Sequence, residues 1–193
     1  MADTASRVPT VSVLVGDMMI GKVTRKSLRL KNFDYSSNGK YFITICTYNK
    51  ENYFGYIHSG KMHLSSYGKI AEEEIINVNI RRESQYIEIE KYIVMPNHIH
   101  MIIQISNEDW FHNYQKEAFS KPTSKSIPSV VRSYKSAVSK RIHETYNSPL
   151  TPYNIWQPRY YDNIIRNEKA YQKIWDYIDS NPLCWEKDKF YKI

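Results

Sequence analysis

Met95-Pro96-Asn97-His98-Ile99-His100-Met101-Ile102-Ile103 is the stretch on which the fold turns. Tyr86 to Val94, just before it, reads as a strand, and Pro96-Asn97 is a turn signal. Ile99, Met101 and Ile103 then continue an extended pattern. Residues i and i+2 of a strand share a face, so His98 and His100 project together while Ile99 and Met101 point the other way. Two imidazoles on one face of a rigid strand can grip a single divalent cation and leave its other coordination positions open. Strand histidines that merely hydrogen-bond show the same spacing, so the pair alone leaves both readings open.

The chain around it has 193 residues, enough for one domain with a proper core. Hydrophobic content of 41% and 24% charged residues are ordinary for a soluble globular protein. A formal net charge of +7 favours polyanionic partners. Cys46 and Cys184 are too few for a disulfide scaffold and too far apart for a CxxC metal knuckle, which suits a reducing cytoplasm. No apolar run approaches the roughly 18 residues of a membrane span. Val11 to Ile20 is interrupted by Ser12, Gly16 and Asp17, so neither a membrane anchor nor a secretory signal is expected. The 17 tyrosines bear on two kinds of chemistry, stacking on bases and nucleophilic attack.

Residues 1–24 show no sustained period and read as a poorly ordered N-terminal extension, with a single domain over 25–193. Arg25 to Lys31 is basic, with Leu28 and Leu30 alternating; it fits a short edge strand, an arm on phosphates through Arg29 and Lys31, or a solvated charge run. Asn38-Gly39 marks a turn before the strand Tyr41 to Tyr48, whose two apolar faces place it centrally in a sheet. Tyr53 to Ile57 and Lys61 to Leu64, split by Ser59-Gly60, form a hairpin. Tyr67 to Asn79 has helical spacing, with Glu72, Glu73 and Glu74 expected on the solvated side. Asn107 to Ser126 reads as a polar loop.

Ile127 to Tyr146 is the clearest amphipathic helix, with Val130, Val131, Tyr134, Ala137, Val138 and Ile142 on one side. Arg132, Lys135 and Lys140 fall opposite, while Arg141 lands inside the apolar arc. Such a basic face can dock on a phosphate backbone or simply be solvated. Ile155 to Asp162 is too irregular to place beyond extended. Asn167 caps a last helix that runs to Ser180 and is stopped by Asn181-Pro182. Tyr177 lies at the edge of its apolar arc, and Asn181 follows one turn later on the same face. The order strand, hairpin, helix, two strands, helix, helix suggests an α+β fold with an antiparallel sheet covered by helices.

These residues resemble those of the IS200-like single-tyrosine transposases of the HUH endonuclease class, and within them the REP-associated tyrosine transposases. The resemblance covers roughly Arg25 to Trp185. It is carried by Ser27-Leu28-Arg29-Leu30, Tyr67-Gly68-Lys69-Ile70, Val94 to His100, Arg132-Ser133-Tyr134-Lys135-Ser136, Trp156-Gln157, Tyr160-Tyr161-Asp162, Ile165-Arg166-Asn167 and Tyr177-Ile178 with Asn181-Pro182. Their order and number, rather than any one of them, make it specific. It implies a ferredoxin-like or RRM-like antiparallel sheet with helices packed on one face.

The resemblance further implies that His98 and His100 hold Mg²⁺ or Mn²⁺, with Asn181 as third ligand where related enzymes have a longer glutamine. It makes Tyr177 the nucleophile of a single-stranded DNA endonuclease that nicks and rejoins DNA near hairpins through a 5′-phosphotyrosine. Arg132, Lys135, Lys140, Arg159 and Arg166 are candidates for phosphate contacts, and Tyr160, Tyr161 and Trp156 for base stacking. Family members are monomers or homodimers with exchanged helices. The lack of a long flexible stretch between Ile155 and Asn167 favours action of Tyr177 on its own chain's metal. The rival reading is a catalytically silent hairpin-DNA-binding protein that keeps the fold.

Overall fold

The computed structural model describes residues 33–82, 86–106 and 125–191. The expected extension over 1–24, the basic arm with Arg29 and Lys31, and residues 107–124 of the polar loop lie outside the described residues. Among the described residues, six strands and three α-helices follow in the order β1 (Gly39–Cys46), β2 (Gly55–His58), β3 (Lys61–Leu64), α1 (Ser66–Arg82), β4 (Ile87–Met95), β5 (His98–Ile105), α2 (Ile127–Thr145), β6 (Tyr161–Ile165) and α3 (Glu168–Ser180). The main sheet is antiparallel in the order β4-β5-β1-β6, and β2 and β3 form a separate hairpin. β1 is interior, as its two apolar faces suggested. The architecture is the α+β sheet-and-helix class expected from the sequence.

Alternation decides what each face of the sheet carries. Tyr41, Ile43 and Ile45 on β1 and Ile99, Met101 and Ile103 on β5 are fully or almost fully buried against Val130, Val131, Tyr134 and Val138 of α2 and Ala71, Ile75 and Val78 of α1. Burying each such aliphatic side chain is worth about 1.5–3 kcal/mol. The Tyr134 hydroxyl finds its partner inside this core, donating to the Ala71 carbonyl at 2.8 Å. On β4 the register shifts between Ile89 and Lys91. The extra residue lets Ile87 and Ile89 before it, and Val94 after it, all reach the same core. Glu90 turns its carboxylate to Lys40, at 2.5 and 2.8 Å.

α1 and α2 thus cover one face, and α3 lies across the other, where Ile174 and Ile178 meet Ile102 with Phe42, Ile93 and Ile165 around them. The parity of β5 requires this: His98, His100 and Ile102 share the face opposite Ile99 and Met101. Ile155 to Asp162, placed only as extended from sequence, form an isolated bridge at Thr47–Trp156 and lead into β6 along the sheet edge. Glu74 corrects the expectation of a solvated acidic face, being 3% exposed. Arg81 at 2.9 Å and Arg141 at 3.0 Å pair with it, which also explains why Arg141 sits in an apolar arc. Among the described residues no helix is long and apolar enough to cross a membrane.

Candidate active site

Strand pairing brings the histidines their first partners. Thr44 lies opposite His100 and Cys46 opposite His98 in the β1–β5 ladder. The turn between β4 and β5 fixes Asn97, whose amide nitrogen donates to the carbonyls of Lys50 at 3.1 Å and Phe190 at 2.8 Å. Carbonyls only accept, so Asn97 Oδ1 is the end that faces His98 Nδ1 at 2.9 Å, and a neutral His98 carries its proton there. The His98 lone pair is then on Nε2, 3.0 Å from His100 Nε2. His100 Nδ1 lies 2.8 Å from Thr44 Oγ1.

Aromatic rings enclose the pair. Phe42 stacks on His100 with centroids 5.1 Å apart, and Phe190 and Trp185 lie 4.6 and 5.9 Å from the His98 ring. Neither histidine is more than 1% exposed. Burial, reinforced by the Lys189 and Lys50 ammoniums, pushes His98 down to about 3. Burial and the neighbouring His98 push His100 well below its ordinary value. Both imidazoles are neutral at physiological pH, the state a metal ligand needs.

α3 supplies the nucleophile candidate. Asn167 caps the helix, accepting from the Ala170 N–H at 2.9 Å, so the register expected from sequence holds. Tyr177 is half-buried, with Oη 3.3 Å from His100 Nε2, and it donates to Asp188 Oδ2 at 3.0 Å. Burial first, and the Asp188 charge second, hold its phenol well above the ordinary tyrosine value. Asn181 keeps helical backbone angles and opens the 3₁₀ segment Asn181–Lys187. Its Nδ2 donates to Asp188 Oδ2 at 3.0 Å, while its Oδ1 is buried with no hydrogen-bond partner among the described residues.

Asp188 is the residue that sequence reasoning missed. It has no periodic position; a local signal exists only in its i+2 relation to Phe190, whose N–H it accepts at 2.7 Å through Oδ1 in an Asx turn. Ligand atoms of His98, His100 and Asp188 all lie within 4.8 Å of one another. Two neutral imidazole nitrogens, a carboxylate and an orphaned amide oxygen make a donor set suited to a divalent cation. Two adjacent ligands of an octahedral ion, each about 2.1 Å from it, stand about 3.0 Å apart, and the two Nε2 atoms are 3.0 Å apart. The residues therefore fit a metal.

The candidate DNA contacts divide. Tyr161 is exposed on the histidine face, its ring 5.9 Å from Phe190, and Arg166 is exposed just before α3. Arg132 and Lys140 are exposed on α2, across the sheet from the histidines, and Arg159 is exposed before β6. Lys135 is half-buried, with Nζ donating to the carbonyls of Gln157 at 2.6 Å and Arg159 at 3.0 Å. Tyr160 is buried with the main core, and Trp156 joins it by donating to the Lys135 carbonyl at 3.0 Å. The structure thus gathers His98, His100, Tyr177, Asn181 and Tyr161 and leaves the α2 basic face apart.

No family model matches the chain. An uncharacterised protein of Haemophilus influenzae is 38% identical over 173 residues, covering 86% of this chain and 93% of that one. Among solved structures, a REP-associated tyrosine transposase bound to a REP hairpin superposes with a TM-score of 0.51 at 23% identity, over 86% of this chain and 77% of that one. A Deinococcus radiodurans protein assigned as a transposase gives 0.46 at 16% identity, over 78% of this chain and 96% of that one.

Proposed function

Because this chain belongs to the same family as the Haemophilus influenzae protein and carries the fold of a REP-associated tyrosine transposase, we propose that it is a metal-dependent single-stranded DNA endonuclease and transposase. It nicks and rejoins DNA beside hairpins through a 5′-phosphotyrosine. One observation carries this reading: Tyr177 Oη stands 3.3 Å from a buried histidine pair of its own chain and already donates its proton to a carboxylate. That all these groups come from one chain supports action in cis, by a monomer or by each copy of a dimer. The net charge of +7 and exposed Tyr161 and Arg166 suit a single-stranded, polyanionic substrate.

In the cleavage step Tyr177 Oη attacks phosphorus in line. The Oη–P bond forms, the bond from phosphorus to the 3′-oxygen breaks, and that oxygen leaves, taking a proton from water. The phenol proton passes to Asp188 Oδ2, to which it is hydrogen-bonded at 3.0 Å. His98 Nε2, His100 Nε2, Asp188 and Asn181 Oδ1 are the atoms that would hold Mg²⁺ or Mn²⁺, which supplies Lewis-acid stabilisation of the charge on the phosphate oxygens. Phe42 keeps the His100 ring in place and excludes water from that side. Rejoining is the reverse step with a different 3′-hydroxyl, so the phosphodiester bond energy is kept.

The enclosure of both histidines under Phe190 and Trp185 favours a second reading, a silent hairpin-DNA-binding protein. Incubation with labelled single-stranded DNA carrying a hairpin, under Mg²⁺ or Mn²⁺, separates the two. A covalent adduct with the native chain and none with Tyr177→Phe, both binding the DNA, is the expected result. Adduct formation by Tyr177→Phe eliminates this nucleophile, and tight binding with no adduct from the native chain selects the silent reading.

A further inference from the structure

Thr44 is 2% exposed, and the partner of its hydroxyl among the described residues is His100 Nδ1 at 2.8 Å. A hydroxyl rotates, so it either donates to a ring nitrogen or accepts from one. The surrounding network decides which. Asn97 is fixed by the Lys50 and Phe190 carbonyls and takes the Nδ1 proton of His98, leaving His98 Nε2 an acceptor. Tyr177 gives its proton to Asp188, so its oxygen can accept as well. His100 Nε2 faces both acceptors, at 3.0 and 3.3 Å. A neutral His100 therefore carries its proton on Nε2, its Nδ1 is a lone pair, and Thr44 donates to it.

We propose that Thr44 is the tautomer switch of His100. Its hydroxyl donates to Nδ1 while the two histidines are joined by their own hydrogen bond, and it turns to accept from Nδ1 when a divalent cation takes both Nε2 lone pairs. The cation-bound half rests on the function proposed above; the metal-free half rests on hydrogen bonds alone. In either state each imidazole nitrogen has a partner. The cation enters by relocating one proton on the His100 ring, with no net proton released to solvent. Histidine ligands are usually backed by a carboxylate or a carbonyl, which fixes a single tautomer. A hydroxyl fixes neither, so Thr44 is a positioning residue that backs His100 in both tautomers.

Long-range ¹H–¹⁵N NMR of histidine-labelled protein reads the tautomer directly. His100 is expected to be protonated at Nε2 without metal and at Nδ1 after addition of Mg²⁺ or Zn²⁺. Calorimetric titration with Mn²⁺ is expected to show Thr44→Val binding about 10–100-fold more weakly, the usual effect of losing the group behind a ligand. Thr44→Ser, which keeps the hydroxyl, restores the native affinity. Protonation at Nδ1 in the metal-free protein overturns the switch, as does native affinity in Thr44→Val or a native chain that takes no cation. A chain that shows the proton shift yet forms no DNA adduct retains the switch and loses the proposed activity, so the two failures are distinct.

Discussion

Acidification from pH 7 to pH 5 is expected to destabilise the fold through His98. In the unfolded chain this imidazole titrates at its ordinary value of 6.5, and in the fold burial and the two lysines hold it at about 3. A group whose folded value is depressed by burial in the neutral form binds more protons when unfolded, so stability rises with pH across the interval between the two values. At pH 5 the unfolded histidine is about 97% protonated and the folded one about 1%, which amounts to about 2 kcal/mol lost relative to pH 7. His100 is shifted the same way and adds to the loss. Glu74 is held low because the hydrogen bonds from Arg81, Arg141 and Asn77 outweigh its burial, so its contribution is lost only at more acid pH. Urea unfolding of metal-free protein at pH 7, 6 and 5 measures the effect. His98→Gln, referenced to its own stability at pH 7, is expected to lose about 2 kcal/mol less than the native chain over the same interval. Equal losses in both, or a flat native profile, would refute the reasoning.

Three further outcomes follow from the same geometry. Gly68→Ala is expected to destabilise by about 1–3 kcal/mol despite the better helix propensity of alanine. Its Cβ would stand 2.2 Å from the Phe54 carbonyl, and the Phe54 N–H holds the Pro96 carbonyl of the β4–β5 turn at 2.9 Å; a raised melting temperature would contradict it. Tyr161→Ala and Arg166→Ala are expected to weaken single-stranded DNA binding more than Lys140→Ala, with Tyr161→Ala costing about 1–3 kcal/mol if one base stacks there. Fluorescence anisotropy showing the reverse order would move the DNA path to the α2 face. Asp188→Asn is expected to let Tyr177 ionise at lower pH, since a carboxylate 3.0 Å away no longer opposes the phenolate, and yet to slow adduct formation by removing the proton acceptor. Site-labelled tyrosine NMR paired with single-turnover cleavage tests both halves, and faster cleavage by this variant would remove Asp188 from the mechanism.

Much of this arrangement was legible because it is local. A two-residue period put His98 and His100 on one face, a 3.6-residue period put Asn181 one turn beyond Tyr177, and the Asn167 cap set the helix start that fixes both. β6 was illegible for the opposite reason. Tyr161-Asp162-Asn163-Ile164-Ile165 has one apolar pair and no clean alternation. Its place in the sheet comes from long-range pairing with Lys40 to Thr44, supplemented by the Tyr35 hydroxyl, which donates to Asp162 Oδ2 at 2.6 Å. Glu74 was misread on similar grounds, because helical spacing shows which residues neighbour it along α1 but not that Arg141 arrives from α2.

Asp188 shows where pattern reading stops and why the site still assembles. Within Glu186-Lys187-Asp188-Lys189-Phe190 only the i+2 spacing to Phe190 sets Asp188 apart from Glu186, and that spacing alone does not bring it to the site. What selects Asp188 is the path of the chain: Pro182 ends α3 and a 3₁₀ segment carries the backbone seven residues back toward the sheet. There Asn97 Nδ2 grips the Phe190 carbonyl and the Phe190 ring packs on His98. With Phe190 anchored, the Asx turn at Asp188 leaves Oδ2 as the oxygen facing Tyr177 and Asn181. One asparagine thus orders both sides of the site, holding the proton of His98 through its oxygen and the segment that delivers Asp188 through its nitrogen. Asn97 belongs to the stretch that reads from sequence as a mere turn signal, and the placement of the one unforeseen acid depends on it.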